Sequence, residues 1–247
     1  MLVVEPVLLG FGLLVGTLVG LTGMGGGALM APLLIFAGFR PLVVVGTDLA
    51  YSTLTKLVGA AQHLRYRTVD WPTVRRLALG SLPGAVVGLV GLRLLPGGQV
   101  DAVITHLLGG ALILVALVLL GQVLLPHWST WALPPGLLTP AGFLVGLLVS
   151  LTSVGSGSLV VALLALTTRL PARVIVGTDL VHACLLVGVA ALGHWQAGSV
   201  DPVLTGHLLL GAIPGVLLGS RLSVRLPERA LRPTLAVILL ATGLRLL

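Results

Sequence analysis

Long apolar segments joined by short polar connections make up most of this chain, and they limit its fold more than any other feature. They cover residues 6–38, 41–62, 72–95 and 99–125 in the first half, and 139–168, 172–193, 202–220 and 231–247 in the second. A helix crosses the hydrocarbon core of a bilayer with about 20 apolar residues. Because lipid offers no partners to backbone N–H and C=O groups, each segment is predicted to be helical.

The composition supports a membrane location. Hydrophobic residues make up 57% of the chain and charged residues only 9%, whereas about 25% of the residues of a soluble domain are charged. The net charge of +7 comes almost entirely from arginine, which in membrane proteins orients loops and contacts anionic lipid. We therefore predict an all-α integral protein, multi-pass in the cytoplasmic membrane, with the lipid bilayer and not nucleic acid as its partner.

The same pattern occurs twice along the chain. The matched stretches are GLLVGTLVGLTGMGGGALMAPLL with GFLVGLLVSLTSVGSGSLVVALL, VGTDLAYS with VGTDLVHA, and LGSLPGAVVG with LGAIPGVLLG; His63 and Asp70 likewise match His194 and Asp201. We predict two copies of one unit, over residues 1–125 and 139–247, joined by a linker at 126–138.

The first segment of each copy is too long for one upright helix. About 30 residues give a helix of about 45 Å, whereas the hydrocarbon core is about 30 Å thick. The segment is either a tilted full span or a hairpin that returns to the side from which it entered. With eight full spans the arginines divide eight against five between the two sides, and with two hairpins they divide ten against three. The second division agrees with the excess of positive charge in cytoplasmic loops.

The two copies are also predicted to be inverted relative to each other. The connection between the second and third segments is basic in copy one and has no Arg or Lys in copy two, and the next connection has the reverse bias. Inversion requires an odd number of crossings in each copy, which three crossings plus a hairpin supply. The prediction is six crossings and two hairpins, with both termini outside the cytoplasm; eight tilted crossings remain the alternative.

A break rich in small residues lies at the centre of each first segment. The stretches TGMGGG and TSVGSGS occupy matching positions, and interrupted segments at matching positions of inverted halves indicate the binding site of a transporter. The amides that begin a half-helix attract anions. The predicted substrate-binding residues here are Thr22, Gly23, Gly25, Gly26, Gly27, Thr152, Ser153, Gly155, Ser156, Gly157 and Ser158. Close helix packing is the alternative role of the glycines.

Three charged residues, Asp48, Lys56 and Asp179, lie inside apolar segments. A charge at mid-membrane is costly, so each is expected to face the protein interior or a pathway. Lys56 lies two helical turns after Asp48 on the same face, beside Ser52. Because Val187 stands at the matching position of copy two, Lys56 is the one fixed cation, and Lys56 and Ser52 are predicted to bind an anion. The alternatives are helix capping by the Asp residues, and snorkelling of Lys56 or its pairing with Asp48.

His182 takes the place of Ser52 in the second copy. Imidazole changes its charge near neutral pH, so His182, like Asp48 and Asp179, is a candidate for coupling or gating. A satisfied polar contact inside the protein is the alternative for His182.

These motifs resemble the sulfite exporter TauE/SafE family of bacterial and archaeal transporters over nearly the whole chain. The resemblance is carried by the glycine-rich stretches Gly23–Gly27 and Gly155–Gly157, by GTDL in both copies, and by VDWP and SLPG with their weaker echoes VDP and AIPG. It implies transport of a small sulfur-containing anion such as sulfite, thiosulfate or sulfoacetate, often outward. Ser156 departs from the pattern, because it replaces the middle glycine of the second stretch.

The sequence as a whole predicts a secondary transporter, not an enzyme, that moves a small anion by alternating access without a cofactor or a bound metal. The chain has no nucleotide-binding P-loop, which argues against ATP as the driving force. Two alternatives stay open. The Asp pair would suit a cation transporter, and GSGS (Gly155–Ser158) with His182 would suit an intramembrane serine protease.

Overall fold

The computed structural model describes residues 6–22, 27–124, 134–223 and 228–247, and these ranges contain helices and no strands. The helices of the first half are α1 (Pro6–Thr22), α2 (Gly27–Phe36), α3 (Pro41–Arg65), α4 (Trp71–Leu94) and α5 (Val100–Leu124). Those of the second half are α6 (Leu138–Thr152), α7 (Ser158–Thr167), α8 (Ala172–Gln196), α9 (Pro202–Ser223) and α10 (Glu228–Leu246). The same order of one broken pair followed by three longer helices therefore occurs twice.

The helices have the lengths and surfaces of membrane helices. Within the described ranges, Trp71–Leu94, Val100–Leu124, Ala172–Gln196 and Pro202–Leu222 are long and apolar enough to cross a bilayer. Large apolar side chains such as Val58, Leu79, Leu144 and Leu192 point outward. The α3 helix, with 25 residues, also has the length of a membrane-spanning helix, although it carries the charged residues Asp48 and Lys56. The predicted fold class, an all-α integral membrane protein, is confirmed.

Glycine stripes bring each half into contact with the other. The α1 helix packs on α9, and α4 packs on α6. The glycines at these two contacts, each too close to the partner backbone for a side chain, are Gly12, Gly16, Gly20, Gly211, Gly215, Gly219, Gly80, Gly84, Gly142 and Gly146. Close packing, the alternative considered for the central glycines, is thus the role of these glycines of α1, α4, α6 and α9.

Contacts along α4 fix the direction of the second half. In order along α4 they are Gly80 with Thr139, Ser81 with His182, Gly88 with Ser150, and Leu89 with Gly193. Because both α6 and α8 run in the direction of α4, the short helix α7 between them has to carry the chain back towards the end at which α6 began. This chain direction does not fit a tilted full span at residues 139–168.

The first half has the equivalent arrangement. Gly12 contacts α9 near Leu208 and Gly20 contacts it near Val216, so α1 and α9 run in the same direction. The start of α9 lies beside the start of α3, because the Asp201 amide donates to Thr47 Oγ1. The α1 helix therefore begins at the end of the molecule where α3 begins, and α2 leads back to that end.

The starts of α3 and α8 show whether the aspartates of the two GTDL motifs cap a helix. The α3 helix begins at Pro41 and α8 begins at Ala172, each seven residues before its aspartate. Asp48 and Asp179 therefore lie inside their helices and cap neither. Capping is excluded, because the apolar residues before each motif already belong to the helix and do not form a strand or loop in front of it.

Candidate functional site

The break between α6 and α7 is a tight turn over residues 153–157. Ser153 ends α6 in the left-handed conformation, with a φ of 59°. Gly155 has a φ of 100°, which a residue with a side chain rarely adopts. An added Cβ at this position would also lie 2.7 Å from Leu159 Cδ1. This glycine is therefore needed for the turn itself.

The turn presents backbone donors at the start of α7. Gly157 precedes the helix without a side-chain cap. The amides from Gly155 to Val160 make no hydrogen bond to another described residue. The first amides of a helix have no partner within it, and they carry the positive end of the helix dipole. This is the arrangement predicted for anion binding.

Two side chains of α3 form hydrogen bonds with the serines of the turn. Lys56 Nζ donates to Ser156 Oγ at 2.5 Å, and Ser153 Oγ donates to Asp48 Oδ2 at 2.6 Å. All four side chains are buried, and Lys56 is only 7% exposed. Lys56 and Asp48 of α3 thus contact the two serines of the second break, which lie about 100 residues away in sequence.

The start of α2 meets the same turn. A Cβ added to Gly27 would lie 2.5 Å from the Ser153 carbonyl oxygen and 2.9 Å from Asp48 Oδ2. The two broken segments therefore come into contact beside α3. Of the other residues predicted in the first break, Gly23, Gly25 and Gly26 lie outside the described residues, as does the side chain of Thr22.

A small cavity of about 30 Å³ lies at this junction. Its polar side is formed by the turn and the start of α2, and its apolar side by Val115, Leu235 and Leu239. The lining residues predicted from sequence are Gly27, Ser153, Gly155, Ser156, Gly157 and Ser158. Since one water needs about 10–15 Å³ by this measure, the space suits a compact ion better than a large organic one.

Other predicted residues lie behind the cavity wall instead of lining it. Ser52, Lys56 and Thr152 are buried outside the lining. The Thr152 hydroxyl donates to the Leu148 carbonyl and accepts from the Val154 amide, so it builds the turn. Lys56 reaches the cavity through Ser156.

The buried charges are close together but do not form an ion pair. Among the described residues the one ion pair is Arg40–Asp101 at 3.1 Å, which lies at the surface. Lys56 interacts electrostatically with both Asp48 and Asp179. Asp48 Oδ1 and Asp179 Oδ1 are buried without a hydrogen-bond partner in the described part of the chain. Direct pairing of Lys56 with Asp48, one of the alternatives, is therefore not what holds Lys56.

His182 lies at the interface between α8 and α4. Its Nε2 atom is 2.8 Å from Ser81 Oγ, and its Nδ1 atom is buried without a partner among the described residues. The satisfied polar contact considered from sequence is present on one nitrogen only. His182 also interacts electrostatically with Lys56.

The glycine and threonine of both GTDL motifs are functional candidates that were not predicted from the sequence. Thr47 Oγ1 accepts from the Asp201 amide at 3.0 Å, and Thr178 Oγ1 accepts from the Asp70 amide at 2.9 Å. Beside them, Gly46 packs on the Ser199 carbonyl and Gly177 on the Thr68 carbonyl. We call these contacts the Thr47 latch and the Thr178 latch. The sequence did carry one indication of these contacts, because Asp70 and Asp201 occupy matching positions in the two copies.

Broken helices that meet around a small cavity with one polar side, inside a bundle of long apolar helices, are typical of a membrane transporter. The family model described as "Sulfite exporter TauE/SafE" matches residues 8–246, and this chain belongs to that family. The predicted family and the multi-pass location in the cytoplasmic membrane are confirmed.

Two relatives from Bacillus subtilis (strain 168) span the whole chain. The chain is 44% identical to "Probable membrane transporter protein YjnA", over 96% of this chain and 97% of that protein. It is 24% identical to "Probable membrane transporter protein YunE", over 98% of this chain and 96% of that protein. No solved structure matches the chain.

Proposed function

We propose that this protein is a secondary transporter that exports a small sulfur-containing anion, such as sulfite, thiosulfate or sulfoacetate, by alternating access. The substrate binds in the cavity between Gly27 and the turn at residues 153–157. The observation that carries this proposal is the set of unbonded amides at the start of α7, next to a serine that accepts from a buried lysine. Such donors and a fixed cation match an anion.

Lys56 contributes by polarising Ser156. The Nζ–H group occupies a lone pair of Ser156 Oγ, so the hydroxyl proton is left to donate to the substrate. Because the cluster is buried, the positive charge of Lys56 is weakly screened. It acts on the cavity across the hydrogen bond to Ser156. Lys56 is thus a positioning residue and Ser156 a binding residue.

We infer that residues 1–125 and 139–247 are inverted repeats joined by the linker 126–138, with six crossings and two hairpins. Three observations support this arrangement. The α3 and α8 helices run antiparallel, since Gly46 lies beside His194 and Gly177 beside His63. The α1 and α6 helices begin at opposite ends of α3. The arginines among the described residues that are expected in the cytoplasm lie at the end of the molecule where α3 ends and α6 begins. The ten arginines expected in the cytoplasm are Arg65, Arg67, Arg75, Arg76, Arg169, Arg173, Arg221, Arg225, Arg229 and Arg232.

The two latches are proposed as the gates of alternating access. Each joins α3 or α8 of one half to the connection between two helices of the other half, and they lie at opposite ends of the antiparallel pair. Opening the Thr178 latch would expose the cavity to the arginine-rich, cytoplasmic side. Opening the Thr47 latch would expose it to the other side.

Asp48, Asp179 and His182 are proposed as coupling or gating groups. Each is buried and has one polar atom without a partner among the described residues. A proton taken up by one of them would offset the charge of a bound anion. Anion flux through purified protein that is unaffected by a pH gradient would rule out this coupling.

Reconstitution into proteoliposomes tests the function. Wild-type protein should carry radiolabelled sulfite or thiosulfate, and Lys56→Glu should abolish that flux, because the fixed charge reverses. Thr53→Ala is the control and should transport normally, because the Thr53 hydroxyl donates only to the Leu49 carbonyl of the same helix. Flux of neither anion by the wild type would overturn the proposal.

Cation transport is a second candidate, and the unpartnered carboxylate oxygens of Asp48 and Asp179 favour it. The nearby Lys56 opposes it, because it repels a cation in the same cluster. The Lys56→Glu variant separates the two functions. It should spare or increase cation flux if this second candidate is correct.

We infer that the chain is not an enzyme, although one contact favours a serine hydrolase. A lysine hydrogen-bonded to a serine can act as the base for a nucleophile, and Lys56 and Ser156 are so arranged. His182, the base considered from sequence, contacts Ser81 instead. Membership of a transporter family supports transport. Covalent labelling of Ser156 by a fluorophosphonate probe would favour hydrolysis.

A further inference from the structure

We propose that the cavity selects oxyanions that carry their own proton, such as hydrogensulfite, over oxyanions that have none, such as thiosulfate or sulfate. This inference rests on the proposed function, because it specifies the protonation state of the transported anion. It follows from the hydrogen-bond directions of the two serines in the turn, Ser153 and Ser156, which both line the cavity.

Ser153 offers the cavity only acceptors. A serine hydroxyl has one proton and two lone pairs, and Ser153 donates its proton to Asp48 Oδ2 at 2.6 Å. This distance is typical of a hydroxyl bonded to a carboxylate. Ser153 Oγ therefore has only lone pairs left for a substrate, and a substrate atom that bonds this oxygen has to be a donor.

Ser156 offers the opposite polarity. Its oxygen accepts from Lys56 Nζ, so its proton is available to the substrate. The amides from Gly155 to Val160 add further donors on the same side. The cavity thus has a donor-rich wall that suits anionic oxygens and, three residues away, an acceptor that suits an O–H group.

The surrounding charges also favour a single negative charge. Asp48 lies directly behind Ser153, with Lys56 and Tyr51 on its own helix and Gly27 and Ser153 packed against it from α2 and α6. From α8, Asp179, His182 and Cys184 face Lys56. One lysine therefore interacts electrostatically with two carboxylates. A dianion bound beside Ser153 would lie close to Asp48, with only Lys56 to offset the negative charges, whereas a protonated monoanion meets less repulsion.

The chemistry of sulfite gives this selectivity a consequence. Sulfite gains its proton near neutral pH, so both forms coexist, whereas thiosulfate and sulfate stay unprotonated. Movement of hydrogensulfite carries one proton and one sulfite together. Sulfite transport would then depend on pH even if no side chain of the protein changed its charge.

Isothermal titration of the purified, full-length protein with sulfite and with thiosulfate, on either side of the pH at which sulfite is protonated, tests the proposal. We expect sulfite to bind at least about tenfold more tightly at the lower pH, corresponding to one well-placed hydrogen bond. Thiosulfate should bind more weakly and show little change with pH. Equal or tighter binding of thiosulfate at both values would overturn the proposal. If neither anion binds, the proposed function itself fails.

Variants at the acceptor separate this mechanism from a general pH effect. Ser153→Ala removes the acceptor and should reduce the pH dependence of sulfite binding to about twofold or less. Thr53→Ala, on the same helix as Asp48 but outside the cavity lining, is the control and should keep the pH dependence. Full pH dependence in Ser153→Ala would contradict the assignment.

A second pair of variants covers the case in which Ser153→Ala does not fold. Asp48→Asn and Asp179→Asn remove the same charge from α3 and α8, but only Asp48 bonds a serine of the cavity. Asp48→Asn should bring thiosulfate binding to within a few-fold of sulfite binding, and Asp179→Asn should preserve more of the wild-type preference. Equal changes in both variants would show that net charge, and not the Ser153 acceptor, sets the selectivity.

Discussion

At the scale of single residues, the pairing of Lys56 with Ser156 is the contact that most directly connects the sequence with a transport site. Asp48 and Lys56 could be placed on one helix face from their spacing alone. Their partners could not be predicted, because Ser153 and Ser156 lie about 100 positions away, and the match depends on the relative register of α3 and the turn. A single sequence contains no record of that register.

Lys56 and Ser156 are expected to act as one unit in anion binding. Lys56→Gln and Ser156→Ala should each weaken anion binding about tenfold or more, because each removes the polarised hydroxyl. The double variant should be little worse than either single variant. Titration calorimetry on the four proteins would measure this coupling. Fully additive losses would mean that Lys56 and Ser156 bind the anion independently.

At the scale of helices, the broken segments and the long helices were largely predictable from the sequence. Apolar length, duplicated breaks and arginine counts predicted that residues 139–168 would not form one helix, and α6 and α7 are separate helices. The contacts between helices were not predictable in the same way. The pairing of α1 with α9 and of α4 with α6 exchanges helices between the halves, and the hydrophobic pattern of one helix does not specify its neighbour.

Two glycines of α4 are expected to differ in how much their replacement by alanine changes the stability of the protein. A Cβ at Gly84 would overlap the Phe143 backbone of α6, whereas a Cβ at Gly91 would meet nothing within 4 Å. Gly84→Ala should therefore destabilise the protein by about 1–3 kcal/mol. Gly91→Ala should leave stability unchanged or raise it slightly, since alanine favours helix.

Thermal unfolding of both variants in detergent checks this contrast. A lower midpoint for Gly84→Ala together with an unchanged or higher midpoint for Gly91→Ala is expected. If the two midpoints fall by the same amount, α4 and α6 do not pack as closely as described.

At the scale of the whole molecule, the latches explain why GTDL occurs twice. The sequence drew attention to the aspartates, because charges in apolar segments are conspicuous. The latches depend instead on Thr47 and Thr178, whose partners are the backbone amides of the opposite half. Backbone partners leave no signature in side-chain chemistry, and only the matched positions of Asp70 and Asp201 indicated them.

Opening one latch should expose the cavity to one side of the membrane only. In a Cys184→Ser background, Ser158→Cys places a thiol in the cavity wall. Thr178→Ala should increase its labelling by an impermeant thiol reagent from the cytoplasmic side several-fold, and Thr47→Ala should do so from the opposite side. Labelling that rises equally on both sides in each variant would contradict the role of the latches as gates.

The central claim is that the turn at residues 153–157 binds a small oxyanion, and anomalous X-ray diffraction from crystals of the full-length protein soaked in selenite tests it most directly. Selenite has the shape and charge of sulfite, and selenium can be located by its own scattering. We expect a selenium peak within hydrogen-bonding reach of Ser156 Oγ and the first amides of α7. Selenium found only at surface arginines, with none at the turn, would contradict it.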